Sequence, residues 1–386
     1  MDLKSDKNDD LINEIMGKNI IHWNYRGLSQ LPEAIRFCAQ DVKEIYLKDN
    51  ELKTLPEWII DLVNVTHLYL NGNNLKEIPQ ELGSMRNLTL LNLSKNGICE
   101  LSTCIGDLKT LESLNLNDNY LKNIPKELSN LKNLRSLSLC NNEFIVLPEW
   151  LGSLEKLEQL KADENSLREL PNRLTTAPNL CVLSICSNRL TYLPLNGFVS
   201  HPSVYFHSNP YLNYLSYPMF RQLIRNPVNR NIPLTKVSTN PLITRDNKNL
   251  RISTLSKEGE KTVIELPRQL LNVHSININH PVTLWELAVR RLHTYRREVQ
   301  NIEEDNASLR VSYNLLINGP VAICSNENCQ EPIFTETWLV VVISCPRDSF
   351  SQRVPIVVLY CCKNCALHHE LLLEEFEEIK WDLVHQ

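Results

Sequence analysis

Two groups of cysteines near the end of the sequence could bind a metal ion. Cys324 and Cys329 form a C-x4-C pair, and Cys361, Cys362 and Cys365 follow further along the chain. Thiolates are common ligands of Zn²⁺, and four of them surround the ion as a tetrahedron in structural sites. The spacing predicts a structural zinc site formed by Cys324, Cys329, Cys361 and Cys365, with no position left open for a reacting water.

Other ligand choices stay open at this point. Cys362 could replace Cys361, and His368 or His369 could replace one thiolate. The C-x4-C spacing is looser than the C-x2-C of many zinc knuckles, so cysteines packed in a core without a metal are the alternative.

A hairpin would position the two cysteine groups. Residues 334–344 and 353–360 are apolar, strand-like runs, and a polar turn at residues 346–352 joins them. The cysteines lie at the outer ends of these runs, so an antiparallel pairing would bring them together. We therefore expect a zinc-ribbon-like arrangement.

A helix is predicted to begin after Pro281. Thr283 is suited to the N-cap, and Glu286, three residues later, completes the pattern of a capping box. The helix is expected to extend to about Arg297. One face of it carries Leu284, Leu287, Ala288, Arg291 and Leu292. Because that face is an apolar stripe, something must cover it: either a partner or the end of the preceding domain.

Most of the first half of the chain is a repeat. Asparagine recurs at a constant interval of 23 residues. The seven positions are Asn50, Asn73, Asn96, Asn119, Asn142, Asn165 and Asn188. Each lies in L-x-x-L-x-L-x-x-N-x-L or a close variant, which is the leucine-rich-repeat signature. Alternating leucines direct one side of a short strand inward, and the asparagine amide can satisfy backbone groups where the chain leaves the strand.

Proline begins the return segment in most repeats. The repeats must stack, because one unit cannot bury its own apolar face. Six copies have proline six residues after the asparagine, and Ser102 stands there in the remaining copy. An irregular copy at residues 21–32, with Arg26 in place of asparagine, predicts an N-terminal cap. Another strand around Tyr205 marks the end of the solenoid, giving nine strands in all.

The residues between the inward leucines form the predicted concave face. Their chemistry is mixed, with aromatic groups towards both ends and an asparagine-rich centre. Members of this face are Tyr46, Lys48, His67, Tyr69, Asn71, Asn92, Asn115, Asn117, Lys161, Asp163, Tyr205 and His207. Extended faces of solenoids commonly bind another protein, and ordinary solvated positions are the alternative interpretation.

The predicted domain plan has five parts. Residues 1–17 are a polar segment, and residues 18–225 are the solenoid with its cap. Residues 226–280 are a linker, flexible over 226–260 with a short strand at 262–267. Residues 281–298 are the helix. Residues 299–386 are a cysteine-rich tail whose last stretch, 366–386, is expected to be an acidic helix. The fold class is therefore α/β: a leucine-rich-repeat solenoid followed by a small α+β, zinc-ribbon-like tail.

Composition makes several function classes improbable. The net charge of −5 gives no basic excess for nucleic acid. Neither a P-loop nor a G-x-G-x-x-G turn is present, and no nucleophile–base spacing points to an enzyme. No secretory signal or membrane-spanning segment is apparent, so we expect a cytoplasmic or nuclear protein without a membrane partner.

The order of these motifs carries a resemblance. The repeats, the segment TLWELAVRRLHTYRR and the pairs CSNENC and LYCCKNC resemble leucine-rich-repeat substrate receptors of elongin–cullin ubiquitin ligases. In that family the helix binds elongin C and the repeats hold the substrate. Carried over to this sequence, the elongin contacts would be Thr283, Leu284, Ala288 and Leu292. The family's hydrophobic-Pro-hydrophobic motif, which selects the cullin, is represented here only by Pro320.

Two functions follow as hypotheses. The first is a non-catalytic adaptor that binds a protein substrate on its concave face and presents it to elongin B/C and a cullin. The second is a leucine-rich-repeat scaffold or signalling regulator whose tail only caps the solenoid. The exposure of Leu284 separates them, because a cap would bury that side chain against the end of the solenoid.

Overall fold

The computed structural model describes residues 11–225, 249–255, 259, 261–277, 279–294, 318–344, 354–367 and 376–384. The chain divides into two compact units. The first unit contains Met1–Ser166 and Ala177–Ile185, and the second contains Leu167–Thr176 and Cys186–Gln386.

Eight short parallel strands form the first unit's sheet. They are β1 Ile20–His22, β2 Glu44–Tyr46, β3 His67–Tyr69, β4 Leu90–Asn92, β5 Ser113–Asn115, β6 Ser136–Ser138, β7 Gln159–Lys161 and β8 Val182–Ser184. From β2 to β8, neighbouring strands pair so that each residue faces the one 23 positions later, as in Leu68, Leu91 and Leu114. These central leucines are buried. A ninth strand, β9 at Ser203–Tyr205, belongs to the second unit. The predicted repeat period is therefore also the register of the sheet.

The repeated asparagines form a buried hydrogen-bonded column. The Asn119 amide nitrogen donates to the carbonyl groups of Leu93 and Leu116, at 3.0 and 3.1 Å. Its amide oxygen accepts from the Ile98 backbone N–H at 3.1 Å. The same pattern recurs at Asn96 and Asn142. The predicted structural role of these residues is confirmed.

The return segments are short 3-10 turns. Their bounds are Glu33–Cys38, Glu57–Asp61, Gln80–Ser84, Thr103–Asp107, Lys126–Asn130, Glu149–Ser153 and Asn172–Thr176. Proline precedes six of the seven, where its fixed φ suits the start of the turn. At the exception, the Ser102 hydroxyl accepts from the Cys104 N–H at 3.5 Å and so caps the turn with its side chain. Leucines such as Leu128 and Leu131 close the core from this side.

The N-terminal cap begins earlier than predicted. Residues 11–15 are helical, and Ile15 is buried. Arg26, which replaces the repeat asparagine, donates two hydrogen bonds to the Glu14 carboxylate at 2.6 and 2.8 Å. The boundary placed after residue 17 is therefore wrong, because residues 11–15 belong to the cap; residues 1–10 lie outside the described part.

Besides the last repeats, the described residues of the second unit include three small sheets and three helices. Its strands are β10 Leu215–Ser216, β11 Arg251–Leu255, β12 Lys261–Glu265, β13 Asn272–Ser275, β14 Ala322–Ile323, β15 Pro332–Ile333, β16 Glu336–Ser344, β17 Pro355–Tyr360, β18 Phe376–Ile379 and β19 Trp381–Leu383. The helices are α1 Tyr217–Arg225, α2 Leu284–Thr294 and α3 Lys363–Leu367. One sheet has the order β10-β17-β16-β13, with β18 also on β16; the others are β12-β11-β19 and β14-β15.

The predicted hairpin is present as β16 and β17. The two strands are antiparallel, with Trp338 opposite Tyr360 and Ile343 opposite Pro355. Val340, Val341 and Val342 are all buried, so both faces of the strand are covered. The turn expected at 346–352 and the end of the predicted helix at 295–297 lie outside the described residues.

Two predictions about the chain after residue 225 are wrong. The first is the flexible linker, because β11, β12 and β13 lie between residues 251 and 275. The strand expected near 262 is among them, and residues 226–248 lie outside the described part. Short polar strands give a weak sequence signal. β11 pairs on both edges, with β12 and β19, and its residues Ile252 and Thr254 are buried.

The C-terminal helix predicted at 366–386 is also wrong over 376–383. β18 and β19 are found there instead, and residues 368–375 lie outside the description. Beyond the end of β13, one edge of β16 is open, and β18 pairs with it through Val341 and Ile379. Hydrogen bonds to an existing edge override the helical propensity of the glutamate-rich sequence.

Candidate metal centre and docking helix

Four cysteines from two segments meet in the second unit. The sulfur atoms of Cys324, Cys329, Cys361 and Cys365 lie within 4.8 Å of one another. The Cys361 sulfur is 3.5 Å from that of Cys329 and 3.6 Å from that of Cys365. Sulfurs at the corners of a tetrahedron with Zn–S bonds of about 2.3 Å would be about 3.8 Å apart. The donor set and its spacing therefore fit a zinc ion.

Local backbone structure places each thiol. Cys324 follows β14 and its N–H donates to the Glu331 carbonyl at 2.9 Å, which closes the β14–β15 turn. The Cys329 N–H donates to the Asn326 carbonyl at 3.0 Å within that turn. Cys361 follows β17, and Cys365 lies on α3. The cluster thus joins a hairpin turn to a strand-to-helix turn.

Hydrogen bonds favour a thiolate in the cluster. The Cys361 backbone N–H donates to the Cys324 sulfur at 3.4 Å. The hydrogen bond from the Cys361 thiol lowers the pKa of Cys324 to about 5, and the same contact raises the pKa of Cys361. Burial raises the pKa of Cys365. A divalent cation would displace the remaining protons, because metal-bound thiols are deprotonated.

The structure reduces the choice of metal ligands that the sequence left open. Cys361, rather than its neighbour Cys362, belongs to the group of four. His368 and His369 lie outside the described residues. Ten cysteines, these four and Cys362 among them, are free thiols.

Sequence reasoning missed a second cluster, formed by His274, His280 and Glu336. The His274 Nε2 is 2.7 Å from a Glu336 carboxylate oxygen, and the two imidazole rings stack with centroids 4.5 Å apart. Their planes differ by 16°. Imidazole ligand electrons lie in the ring plane, so two nearly parallel rings cannot both direct them at one ion. We interpret this cluster as a buried carboxylate with a histidine partner; no motif in the sequence indicates it.

Glu336 also caps α2. The Thr283 N–H donates to its carboxylate at 2.7 Å, while the Thr283 hydroxyl accepts from the Glu286 N–H at 3.3 Å. Thr283 is therefore the N-cap of α2, as predicted. The reciprocal half of the capping box is wrong, because Glu336 takes the place expected for the Glu286 side chain.

Glu286 instead holds the helix to the sheet. Its fully buried carboxylate accepts the backbone N–H groups of Phe334 and Thr335 at 2.9 and 2.7 Å, and the Thr335 hydroxyl at 2.9 Å. Arg290, one turn later, donates to it at 2.9 Å. The guanidinium of Arg290 also donates to the Cys361 carbonyl at 3.2 Å. A buried polar chain thus connects the helix to the thiol cluster.

The opposite face of α2 is exposed. Leu284 is 85% exposed, Leu287 47% and Leu292 40%, and Ala288 and Arg291 are also exposed. On the inner face, Val289 is 1% exposed. The described residues do not cover the apolar stripe, and its members are those of the sequence pattern.

The twelve residues predicted for the concave face are half-buried or exposed. In the first unit, Tyr46 stacks on Tyr69 with ring centroids 4.4 Å apart, and His22 stacks on the other side of Tyr46 at 4.7 Å. The Tyr46 hydroxyl donates to Glu44 at 2.8 Å, and this bond raises the pKa of Tyr46. His22 was missed because it lies in the irregular cap.

The polar centre of this face is partly occupied by its own hydrogen bonds. Asn115 accepts from the Asn117 N–H at 3.1 Å, and Asn117 accepts from the Cys140 N–H at 2.8 Å. The Ser184 hydroxyl donates to Asp163 at 2.7 Å. The amides of Asn115 and Asn117 therefore have structural roles. In the second unit, the His207 Nδ1 lies 3.0 Å from the Cys186 sulfur, so this predicted position also has a local partner.

Short strands, 3-10 turns and an asparagine column define a leucine-rich-repeat solenoid, and a cysteine-rich region follows it. Residues 41–194 match the family model described as leucine-rich repeat region. No helix in the described ranges is both long and apolar enough to span a bilayer.

Several solved structures are similar to this chain. A leucine-rich-repeat protein of Leptospira interrogans is 25% identical, with a TM-score of 0.46, and the match covers 58% of this chain and 61% of that one. Internalin C2 of Listeria monocytogenes is 27% identical, with a TM-score of 0.40, over 46% and 76% of the two chains.

A third similar structure is the ectodomain of the plant membrane receptor kinase GASSHO1/SCHENGEN3 from Arabidopsis thaliana, in complex with CASPARIAN STRIP INTEGRITY FACTOR 2. It is 27% identical, with a TM-score of 0.42, over 48% and 23% of the two chains. A search of curated proteins finds no significant match.

Proposed function

We propose that this protein is a non-catalytic substrate-recognition adaptor for an elongin–cullin ubiquitin ligase. In this proposal the strand face of the repeats binds a protein substrate, and α2 binds elongin C through Leu284, Ala288 and Leu292, with Thr283 at its N-cap. The elongin B/C complex and a cullin are the implied partners, and the four thiols bind one structural zinc ion.

The observation that carries the proposal is the two-sided character of α2. Its inner face is fixed by buried hydrogen bonds that the Glu286 carboxylate accepts, and Leu284 on the outer face is 85% exposed. An apolar side chain at the start of a fixed helix is suited to enter a pocket on another protein. A helix that served only to pack on its own chain would bury this residue.

The strand face of the repeats supports the other part of the proposal, the binding of a protein substrate. The stacked rings of His22, Tyr46 and Tyr69 form a continuous aromatic surface on the strand face of the first unit. Aromatic side chains are enriched at the centres of protein interfaces. The free cysteines are consistent with a cytoplasmic or nuclear protein.

A scaffold or signalling role is the alternative function. Part of the tail does pack on the last repeats of the second unit. Arg268 lies 2.7 Å from the Glu169 carboxylate, and the Asn172 amide donates to Gln269 at 2.6 Å. These contacts favour a capping role for residues 268–269, which is compatible with docking through α2.

Co-purification with elongin B and C tests the proposal. We expect capture by the wild-type chain and loss of capture with Leu284→Asp, because a buried unpaired carboxylate costs several kcal/mol, about a 100-fold or greater loss of affinity. Leu271→Asp is the matched control, since Leu271 is an exposed leucine of the same unit that lies off the helix. Failure of the folded wild-type chain to bind would leave the scaffold function.

A further inference from the structure

The buried face of α2, opposite its exposed apolar stripe, is hydrogen-bonded to the thiol cluster. Arg290 is buried, and its guanidinium bridges the Glu286 carboxylate and the backbone carbonyl of Cys361. Cys361 is a member of the four-thiol group. A displacement of this cysteine would therefore remove a hydrogen-bond acceptor from the buried face of α2.

A second connection reaches the other half of the cluster. Glu286 accepts the N–H groups of Phe334 and Thr335, which directly follow β15. β15 pairs with β14, and the turn between these strands carries Cys324 and Cys329. The helix is thus hydrogen-bonded to both segments that supply thiols.

α2 depends on these bonds for its conformation. Its described part is Leu284–Thr294, and helices in proteins take most of their stability from tertiary contacts of the buried face. Val289 is the fully buried apolar residue of its described inner face, and His293 meets Phe334 edge-on with ring centroids 5.3 Å apart. A buried valine, an aromatic contact and a buried polar chain hold the described part of the helix.

We propose that a zinc ion on Cys324, Cys329, Cys361 and Cys365 holds α2 in the conformation that presents Leu284, so that docking through this helix requires the metal. The docking half of this inference rests on the proposed function. The structural half, that zinc fixes α2, stands independently of any partner.

The physical reason is that the metal joins two segments that are distant in sequence. Without zinc, two contacts of the cysteines themselves join the segments: the Cys329 and Cys361 sulfurs lie 3.5 Å apart, and the Cys361 N–H donates to the Cys324 sulfur. Sulfur is a weak hydrogen-bonding group, and one backbone bond, from the Ser325 N–H to the Leu359 carbonyl at 2.8 Å, lies beside them. Zinc replaces these contacts with four bonds, and the free energy of metal binding becomes free energy of folding. Both anchors of the helix then stay at the correct separation.

Metal removal and restoration test the inference on the full-length protein. The zinc-loaded chain is stripped with a chelator, and Zn²⁺ alone is then added back. We expect backbone amides of 284–294 to exchange hydrogen at least tenfold faster in the stripped protein, and amides of 41–194 to be unchanged. We expect affinity for elongin B/C to fall at least tenfold, and both effects to reverse with zinc.

The Arg290 bridge between α2 and the thiol cluster can be tested separately from the metal ligands. Arg290→Met removes the bridge without altering a thiol, so we expect one equivalent of bound zinc together with fast exchange in α2 and weak docking. Cys362→Ser is the matched control, because Cys362 adjoins the cluster without belonging to it. It should retain zinc, protection and docking.

The outcomes are distinguishable. Unchanged protection of 284–294 in the stripped, folded chain, or well under one equivalent of zinc in the purified protein, would overturn the inference. If the zinc-loaded chain fails to bind elongin B/C while α2 still loses protection on stripping, the proposed function is wrong and zinc control of the helix is supported.

Discussion

The side chain of Arg290 donates a hydrogen bond to the backbone carbonyl of Cys361, with nitrogen and oxygen 3.2 Å apart. The two residues belong to features that appear independent in the sequence, an amphipathic helix and a pair of cysteine motifs. Their contact makes one buried polar network of the helix and the thiol cluster. Most of the predictions below test this network.

The first prediction concerns metal content. Protein purified without chelators should hold about one equivalent of zinc. Cys365→Ser should hold well under one equivalent, because a hydroxyl is a poor replacement for a thiolate ligand. Cys362→Ser should bind as the wild type does. Equal zinc content in the two variants, measured by elemental analysis, would contradict the assigned ligand set.

The second prediction concerns the buried carboxylate of α2. Glu286→Gln should lower the free energy of unfolding of the second unit by about 3–5 kcal/mol, because it neutralises the buried carboxylate that pairs with Arg290 and accepts the Phe334 and Thr335 N–H groups. Urea denaturation followed by tail tryptophan fluorescence would measure this. A loss below about 1 kcal/mol would mean that the network contributes little.

The third prediction compares the two faces of α2. Leu284→Asp should change the free energy of unfolding by at most about 0.5 kcal/mol, since the residue is exposed. Val289→Asp on the same helix should cost several kcal/mol, because it places an unpaired carboxylate in the core. Thermal or urea unfolding of the two variants checks this, and similar losses would show that Leu284 is covered in solution.

The fourth prediction concerns acid. Burial alone would raise the pKa of Glu336, but hydrogen bonds from Thr283 and His274 outweigh it and lower the pKa below the ordinary value of 4.5. A carboxyl whose pKa is lower in the folded state stabilises the fold above its unfolded pKa, and this contribution is lost as the pH falls through the folded pKa.

The difference in unfolding free energy between wild type and Glu336→Gln should therefore be constant above about pH 5 and shrink below pH 4.5. Urea denaturation at several pH values would measure it. A difference that grows on acidification would show that the pKa is raised instead.

The fifth prediction tests the asparagine column of the first unit. Asn119→Ala leaves the Ile98 N–H without its acceptor and removes one of two amide donors from the Leu93 and Leu116 carbonyls, so it should cost about 2–3 kcal/mol. Asn133→Ala removes two exposed bonds, one to the Lys109 carbonyl and one from the Lys156 ammonium, and should cost at most about 0.5 kcal/mol. Comparable losses in urea denaturation would be inconsistent with a structural column.

Local repetition made the solenoid predictable. A 23-residue interval fixes the register of the strands, the asparagine column and the prolines, since every repeat meets the same neighbours. The thiol group and the β16–β17 hairpin could also be predicted from the sequence, because cysteine motifs and long apolar runs are distinctive. The N-cap at Thr283 and the exposed stripe of α2 followed from side-chain type and helical period.

Contacts between distant segments were decided only by the tertiary structure. Whether Cys361 or Cys362 joins the thiols depends on the exact turn after β17. The glutamate-rich end of the chain forms β18 because β16 leaves an open edge, and no local pattern shows that edge. Glu286 faces the N–H groups of Phe334 and Thr335, and Glu336 caps the helix, because folding brings these residues together from far apart in the sequence. Sequence periodicity determines which faces are buried, while the partners of a buried charge are set by the packing of elements that share no periodicity.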